Sequence, residues 1–351
     1  ASGTDLTDPT APSPSSATDL ATLSDLQGAR VLGAQDPSGR TQLISGFWGS
    51  CAWIIDRDGI LILSGGRGED TSGVSPWQDC AMDISSIVVL QGVELPEDCS
   101  GLFALSVYDP LTQQYESRVT SMDLQGLDAS RVTTLSGLFR GCTNLEFVNL
   151  TGMTTPLVTD FSWMFHGCAS LKLAIMDGFT TESARTMQGM FYGCESLNEA
   201  PVAGFDTRGV TDMSWMFCGC ASLTGMDLSL FQTDQVQDMT AMFSLCRALI
   251  RLDLSAFRTP SLTACAFMFS GCASLAELDL GRLDTEGAED LSDFFLDCSS
   301  LHRITVPSGF SARLPEGDYV ASSSGETLSA AQIAALGTAD TYTRAEGDLT
   351  N

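Results

Sequence analysis

Cysteine is the reactive residue type this chain uses most regularly. Seven cysteines, Cys142, Cys168, Cys194, Cys220, Cys246, Cys272 and Cys298, recur at an interval of 26 residues. Such a row could be a stack of disulfides, a redox relay or a metal rail. Stacking geometry argues against all three. Equivalent positions on neighbouring rungs of a stacked array hold parallel Cβ atoms about 4.8 Å apart, whereas a disulfide needs facing Cβ atoms at about 3.8 Å. A free cysteine packs as a small hydrophobe, so the seven are read as core thiols. No CxxC pair occurs, which argues against structural zinc. With only His166 and His302, histidine metal sites and histidine catalysis are poorly supported. A second row, Asp227, Asp253 and Asp279, joined by Asp123 and Asn149, could bind calcium. It reads equally as a solvated sheet face that caps nearby backbone. The Asp56-Arg-Asp58-Gly59 stretch reads as a hairpin turn. No cofactor is expected.

The elements that position these residues repeat with them. Phenylalanine keeps the same step three positions before each cysteine, from Phe139 to Phe295, and leucine three positions after, from Leu145 to Leu301. A fixed period of this size marks a stacked array in which no unit can bury its apolar face alone. Val210, Met213, Met216, Phe217 and Cys220 have the spacing of one face of a short helix, with Thr211-Asp212 at its start. Met226 and Leu228 alternate with polar neighbours, as in a short strand with one buried face. The expected fold is an α/β repeat solenoid, a right-handed leucine-rich-repeat-like stack of strands and helices. Eight rungs, from Leu124 to Val306, give a stack on the order of 40 Å long.

Residues 1–25 are rich in Ser, Thr, Pro and Ala and read as a disordered linker. Residues 26–118 read as an N-terminal cap. Trp53 to Ser64 forms its hairpin around Asp58-Gly59, Ile87–Leu90 is a further strand, and an insertion of ten residues falls within Ala104–Arg118. Residues 119–306 form the solenoid. Residues 307–351 read as a C-terminal cap whose Leu328–Leu336 segment is helical, covering an edge that would otherwise invite aggregation.

Composition excludes several function classes. The chain has 351 residues, 44 acidic against 17 basic groups and a net charge of −27, with Lys172 as its one lysine. Such a surface repels nucleic acid and anionic lipid. No apolar run is long enough to span a membrane, and a monomer is expected. There is no Ser/His/Asp arrangement and no phosphate loop, so the chain is read as non-catalytic.

The unit running from Leu223 through Met226-Asp-Leu-Ser, Phe231, Thr233, Val236, Asp238-Met239, Met242-Phe243 and Cys246 resembles the repeat of BspA-like leucine-rich-repeat surface proteins. Copies at 197–220 and 249–272 share it, with Pro201 and Val202 replacing Asp-Leu and Cys265 replacing a methionine. The Trp53 hairpin followed by Ser75-Pro-Trp77, and the closing Ala339-Asp-Thr-Tyr-Thr343, resemble the ends of these proteins. The resemblance implies an extracellular or cell-wall-attached bacterial protein binding an extracellular protein or glycan. Arg313-Leu-Pro-Glu-Gly317 does not match a sorting signal, so anchoring is expected to lie outside this chain.

Candidate contact residues lie in the outward strand slots. Phe147, Leu173, Ile175 and Pro201 are apolar where later rungs carry Asp227, Arg251 and Asp253. An exposed apolar patch marks a contact site unless a loop covers it. Trp163 and Trp215, two rungs apart with Phe267 in the same slot, form either an aromatic contact strip or a half-buried edge. Cys218 is expected at the surface. A bridge between two of Cys51, Cys80 and Cys99 is open. The reading is a ligand-binding or adhesion module; a structural spacer is the alternative, and it predicts uniform outward slots.

Overall fold

The computed structural model describes residues 44–112 and 114–345; the expected 1–25 linker lies outside them. The strands, in chain order, are β1 (Ile44–Trp48), β2 (Cys51–Ile55), β3 (Ile60–Ser64), β4 (Gly66–Arg67), β5 (Ser86–Val89), β6 (Val93–Glu94), β7 (Val107–Asp109), β8 (Gln114–Glu116), β9 (Ser121–Asp123), β10 (Leu127–Asp128), β11 (Phe147–Asn149) and β12 (Leu173–Ile175). There follow β13 (Arg251–Leu252), β14 (Glu277–Asp279), β15 (Arg303–Val306), β16 (Asp318–Ala321), β17 (Thr327–Ser329), helix α1 (Ala330–Leu336) and β18 (Asp340–Arg344). Successive coils stack so that β5, β9, β11 and β12 run parallel in register, Val88 beside Asp123, Asn149 and Ile175. β13, β14 and β15 do the same further along.

The segment expected to be helical is not. In each coil it is a run of tight turns. Gly137, Phe139 and Gly141 each donate an N–H to the next coil, to Ser162, Met164 and His166 carbonyls, at 2.8 Å. The alternate amides of Leu138, Arg140 and Cys142 close turns onto carbonyls three residues back at 2.9–3.1 Å. Every fourth residue is left-handed, as at Gly137 (φ 62°) and Gly141 (φ 76°), a conformation that an α-helix cannot contain. Four-residue turns bury side chains at spacings of three and four, which is why the pattern imitates a helix. The fold is therefore a β-solenoid of stacked coils rather than a strand–helix stack.

Periodic side chains fill the interior. The phenylalanine rings stack from Phe103 to Phe295 at centroid distances of 5.0–6.1 Å, and Trp77 continues the pillar at 5.8 Å. A buried threonine row, Thr181, Thr207, Thr233 and Thr259, donates from Oγ1 to a carbonyl of the next coil at 2.8–3.0 Å. Each of these hydroxyls also accepts an amide from that coil at 2.8–2.9 Å. Antiparallel strands lie at both ends: β1–β2–β3 beside β5, and β18, β16 and β17 beside β15. Helix α1 carries a Ser329/Gln332 capping box and ends on left-handed Gly337.

The strand ladder is interrupted in the middle. No strand forms at residues 199–202 or 225–228, which separates a seven-stranded from a six-stranded sheet. Pro201 has no N–H to give to a neighbour, and the amides of Val202 and Gly204 turn back onto Ala200 and Val202 at 2.9 Å. The other side of the stack does not break. Bridges run without interruption from Asp98 through Thr134, Asp160, Thr186, Asp212 and Asp238 to Ala264.

Candidate functional site

The strand face is built by register. Val148 and Ala174 point inward and are buried, so their neighbours point out. Leu173 is 51% exposed, while Phe147 and Ile175 are half-buried. The same outward rows continue into the N-terminal strands through Ile54, Ile62 and Val88, and through Ile60 beside Ser86, Ser121 and Phe147. Phe47, 61% exposed, lies at the far margin. The sequence pattern signals Phe147, Leu173 and Ile175. The contribution of the hairpin strands goes unseen because they lie outside the 26-residue frame.

Beyond the interruption the face becomes ionic. Asp227, Arg251 and Asp253 are exposed, and they line a cleft of about 930 Å³ with Glu199, Glu277, Asp279 and Arg303. Its floor includes Ala200, Met226, Leu252 and Leu278. Pro201 is half-buried at the break. Arg251, Glu277 and Arg303 are aligned in register, and Glu277 pairs with Arg303 at 3.8 Å. The aspartates serve the nearby backbone. Asp227, Asp253 and Asp279 accept the amides of Ser229, Ser255 and Gly281 at 2.8–2.9 Å. Hydrogen bonds from Ser229 and Ser255 hold the Asp227 and Asp253 carboxyls below the usual range. This is the capping role. Among the described residues no group of three or more His, Cys, Asp or Glu is placed to hold a metal ion.

The cysteine row is buried throughout. Each thiol donates to the phenylalanine carbonyl of the preceding coil, as Cys220 does to Phe191 at 3.2 Å and Cys194 to Phe165 at 3.3 Å. That carbonyl already accepts a turn amide, Cys194 N–H on Phe191 at 3.1 Å. The thiol thus fills a core position and satisfies a second lone pair. Burial pushes Cys142 up to about 12 and Cys298 up to about 12, so neither is a nucleophile near neutrality. Cys218, expected outside, is 2% exposed, because its slot is covered by the neighbouring coils. Cys51, Cys80 and Cys99 are free thiols.

Trp163 and Trp215 are half-buried on a different run of the coil, each in a left-handed backbone (φ 58° and 61°). Trp163 lies over Gly189, where an added Cβ would come within 2.3 Å of the ring. His166 and Tyr192 join them. The ten-residue insertion forms the β7–β8 hairpin, with Tyr108 and Tyr115 exposed.

Fold and site together define a stacked-coil repeat protein with an open, mixed apolar and ionic face. The chain belongs to the family described as Mycoplasma protein of unknown function, DUF285, whose model matches residues 111–202 and 198–306. This match bears out the resemblance to BspA-like leucine-rich-repeat proteins. Two solved structures are similar. A leucine-rich-repeat protein of T. pallidum is 20% identical with a TM-score of 0.34, covering 69% of this chain and 91% of its own. A leucine-rich-repeat protein of Eubacterium ventriosum is 16% identical with a TM-score of 0.26, covering 76% and 94%. No curated protein sequence matches the chain. Among the described residues no helix is long and apolar enough to cross a membrane.

Proposed function

We propose that the chain is a non-catalytic ligand-binding or adhesion module, secreted or attached to a bacterial cell wall, that docks an extracellular macromolecule on its strand face. The antiparallel strands at either end act as caps on a solenoid spanning 119–306. The supporting observation is the uneven outward face. Ile54, Ile62, Val88, Phe147, Leu173 and Ile175 make a mainly apolar half, interrupted by Asp123 and the buried Asn149, and Asp227, Arg251 and Asp253 make an ionic half around an open cleft. A spacer would need no such division. A partner would desolvate the apolar half and be oriented by the charged half, as buried centres and polar rims act in other interfaces. The experiment is capture of extracellular-matrix and mucosal proteins by the wild type and by a Leu173→Ser, Ile175→Ser double variant. The double variant stays folded and loses the capture. Equal capture by both would move the contact elsewhere.

A further inference from the structure

The repeat leaves one of its runs unfinished at the C-terminal end. From Gly137 to Gly271 each coil donates three amides of its turn run to carbonyls of the next coil. The last such set is Phe267, Phe269 and Gly271 onto Ser292, Phe294 and Leu296, at 3.0, 3.0 and 2.6 Å. The equivalent amides of the final coil belong to Asp293, Phe295 and Asp297. Their backbone continues the pattern: Asp293 (φ 49°) and Asp297 (φ 59°) are left-handed, as Phe267 (φ 60°) and Gly271 (φ 75°) are one coil earlier. The three N–H groups therefore face the side on which a next coil would lie. Among the described residues none of the three has an acceptor.

The C-terminal segment closes the other runs and not this one. β18 pairs with β15 along the strand run. Phe310 covers the end of the ring pillar, 5.7 Å from Phe294 and 6.3 Å from Phe295. The Gly309 amide bonds the Gly337 carbonyl, at the end of α1, at 2.8 Å. Beside the final turn run the chain stands off instead. Between that run and the 313–316 stretch lies a cavity of about 850 Å³, within the range of ligand pockets, roughly 300–1,000 Å³. Its charged lining is three carboxylates, Asp293, Asp297 and Glu316, against two guanidiniums, Arg313 and Arg344. Arg313 pairs with Glu316, and Arg344 donates to the Glu316 carbonyl at 2.6 Å. Asp293 and Asp297 are exposed and have no ion pair among the described residues. Leu296, between them, is 49% exposed.

We propose that this open end takes up a flexible, basic peptide segment of another protein, whose main-chain carbonyls stand in for those of the missing coil. The acceptors are set by the fold itself. In every earlier coil the same three amides meet carbonyls of alternate residues on one peptide chain, so a peptide is the matching ligand, and main-chain bonding of this kind supplies affinity in strand-addition complexes. A neutral carbonyl fits where an anion does not, because Asp293 and Asp297 flank the donors. The same two carboxylates call for a Lys or Arg side chain on the peptide, and an apolar side chain would cover Leu296. The net charge of −27 steers a basic segment toward the molecule. The residues that follow Ala345 begin Glu346-Gly-Asp348, and their acidic side chains would meet like charges here. The site does not rest on the strand-face reading.

The test is selection of a displayed library of random 12-residue peptides on the whole chain, followed by hydrogen exchange read at single amides with the selected peptides. In the free chain the amides of Asp293, Phe295 and Asp297 should exchange faster than those of Phe267, Phe269 and Gly271. At least one selected peptide should carry Lys or Arg, bind more weakly as salt rises and protect the three amides. Asp293→Asn with Asp297→Asn removes both charges and keeps a residue type that tolerates the left-handed backbone. It should weaken that peptide about tenfold. The Leu173→Ser, Ile175→Ser variant should bind the peptide as the wild type does, which separates this site from the strand face. The proposal is overturned if no peptide is selected, if the selected peptides leave the three amides unprotected or lack basic residues, or if the asparagine variant binds equally well. It is also overturned if the three amides are already protected in the free chain. If the asparagine variant unfolds, the protection pattern in the wild type decides.

Discussion

At the residue scale, the cysteine row is a structural device. A thiol is small enough for the turn and still donates to a carbonyl. Cys220→Ser keeps a donor, Cys220→Ala removes it, and Cys220→Phe overpacks the turn, costing on the order of 1–3 kcal/mol. Chemical denaturation should rank the phenylalanine variant least stable. The ladder also sets an alkaline limit. The folded thiols ionise far above their ordinary value of 9.0 because burial disfavours the thiolate, with Cys142 and Cys298 pushed up to about 12. An unfolded chain releases these protons from about pH 9, so the folded state binds more protons above that point. The thiol contribution is therefore whole below pH 9 and is lost as pH rises toward 12. Unfolding free energy should fall continuously over that window, and less steeply in Cys220→Ala. A flat profile would contradict the burial of the row. These thiols are legible in the sequence because their period matches that of the core. Cys218 is not, because the surroundings of its slot depend on the coils on either side.

At the element scale, the turns carry the coil. The strand register and the hairpin around Asp58 are legible from alternation and turn chemistry. The turns pass for a helix in the sequence because consecutive four-residue turns bury side chains at nearly helical spacing; what distinguishes them is the left-handed residue, often glycine, at every fourth position. Two glycine variants separate backbone strain from contact. Gly193 has φ 71°, and an added Cβ would meet only the Gly167 backbone, its Cα at 3.6 Å. Gly193→Ala should cost about 1–2 kcal/mol from strain alone. Gly189→Ala should cost more, because its Cβ would overlap the Trp163 ring. Equal losses in thermal denaturation would contradict the packing of Trp163. The interruption at Pro201 makes a further prediction. Amides of residues 199, 200, 202 and 225–228 should exchange hydrogen faster than those of β11, while amides on the bridged run stay protected across all coils.

At the scale of the whole molecule, two halves of one face differ in chemistry, and the net charge governs what approaches them. No measurable binding to duplex DNA or anionic vesicles is expected at physiological salt. The apolar half is legible in the outward slots at 147, 173 and 175. Its extension over Ile54, Ile62 and Val88 is not, because antiparallel pairing outside the repeat brings those strands into the sheet. The central claim is that partners dock on the strand face, and photo-crosslinking tests it directly. A benzophenone side chain is placed singly at position 173 or at position 157, where the native leucines are 51% and 52% exposed on different runs of the coil. Exposed to extracellular-matrix and mucosal proteins, the chain should crosslink a partner from position 173 and not from 157. Crosslinks from 157 with none from 173 would contradict the account.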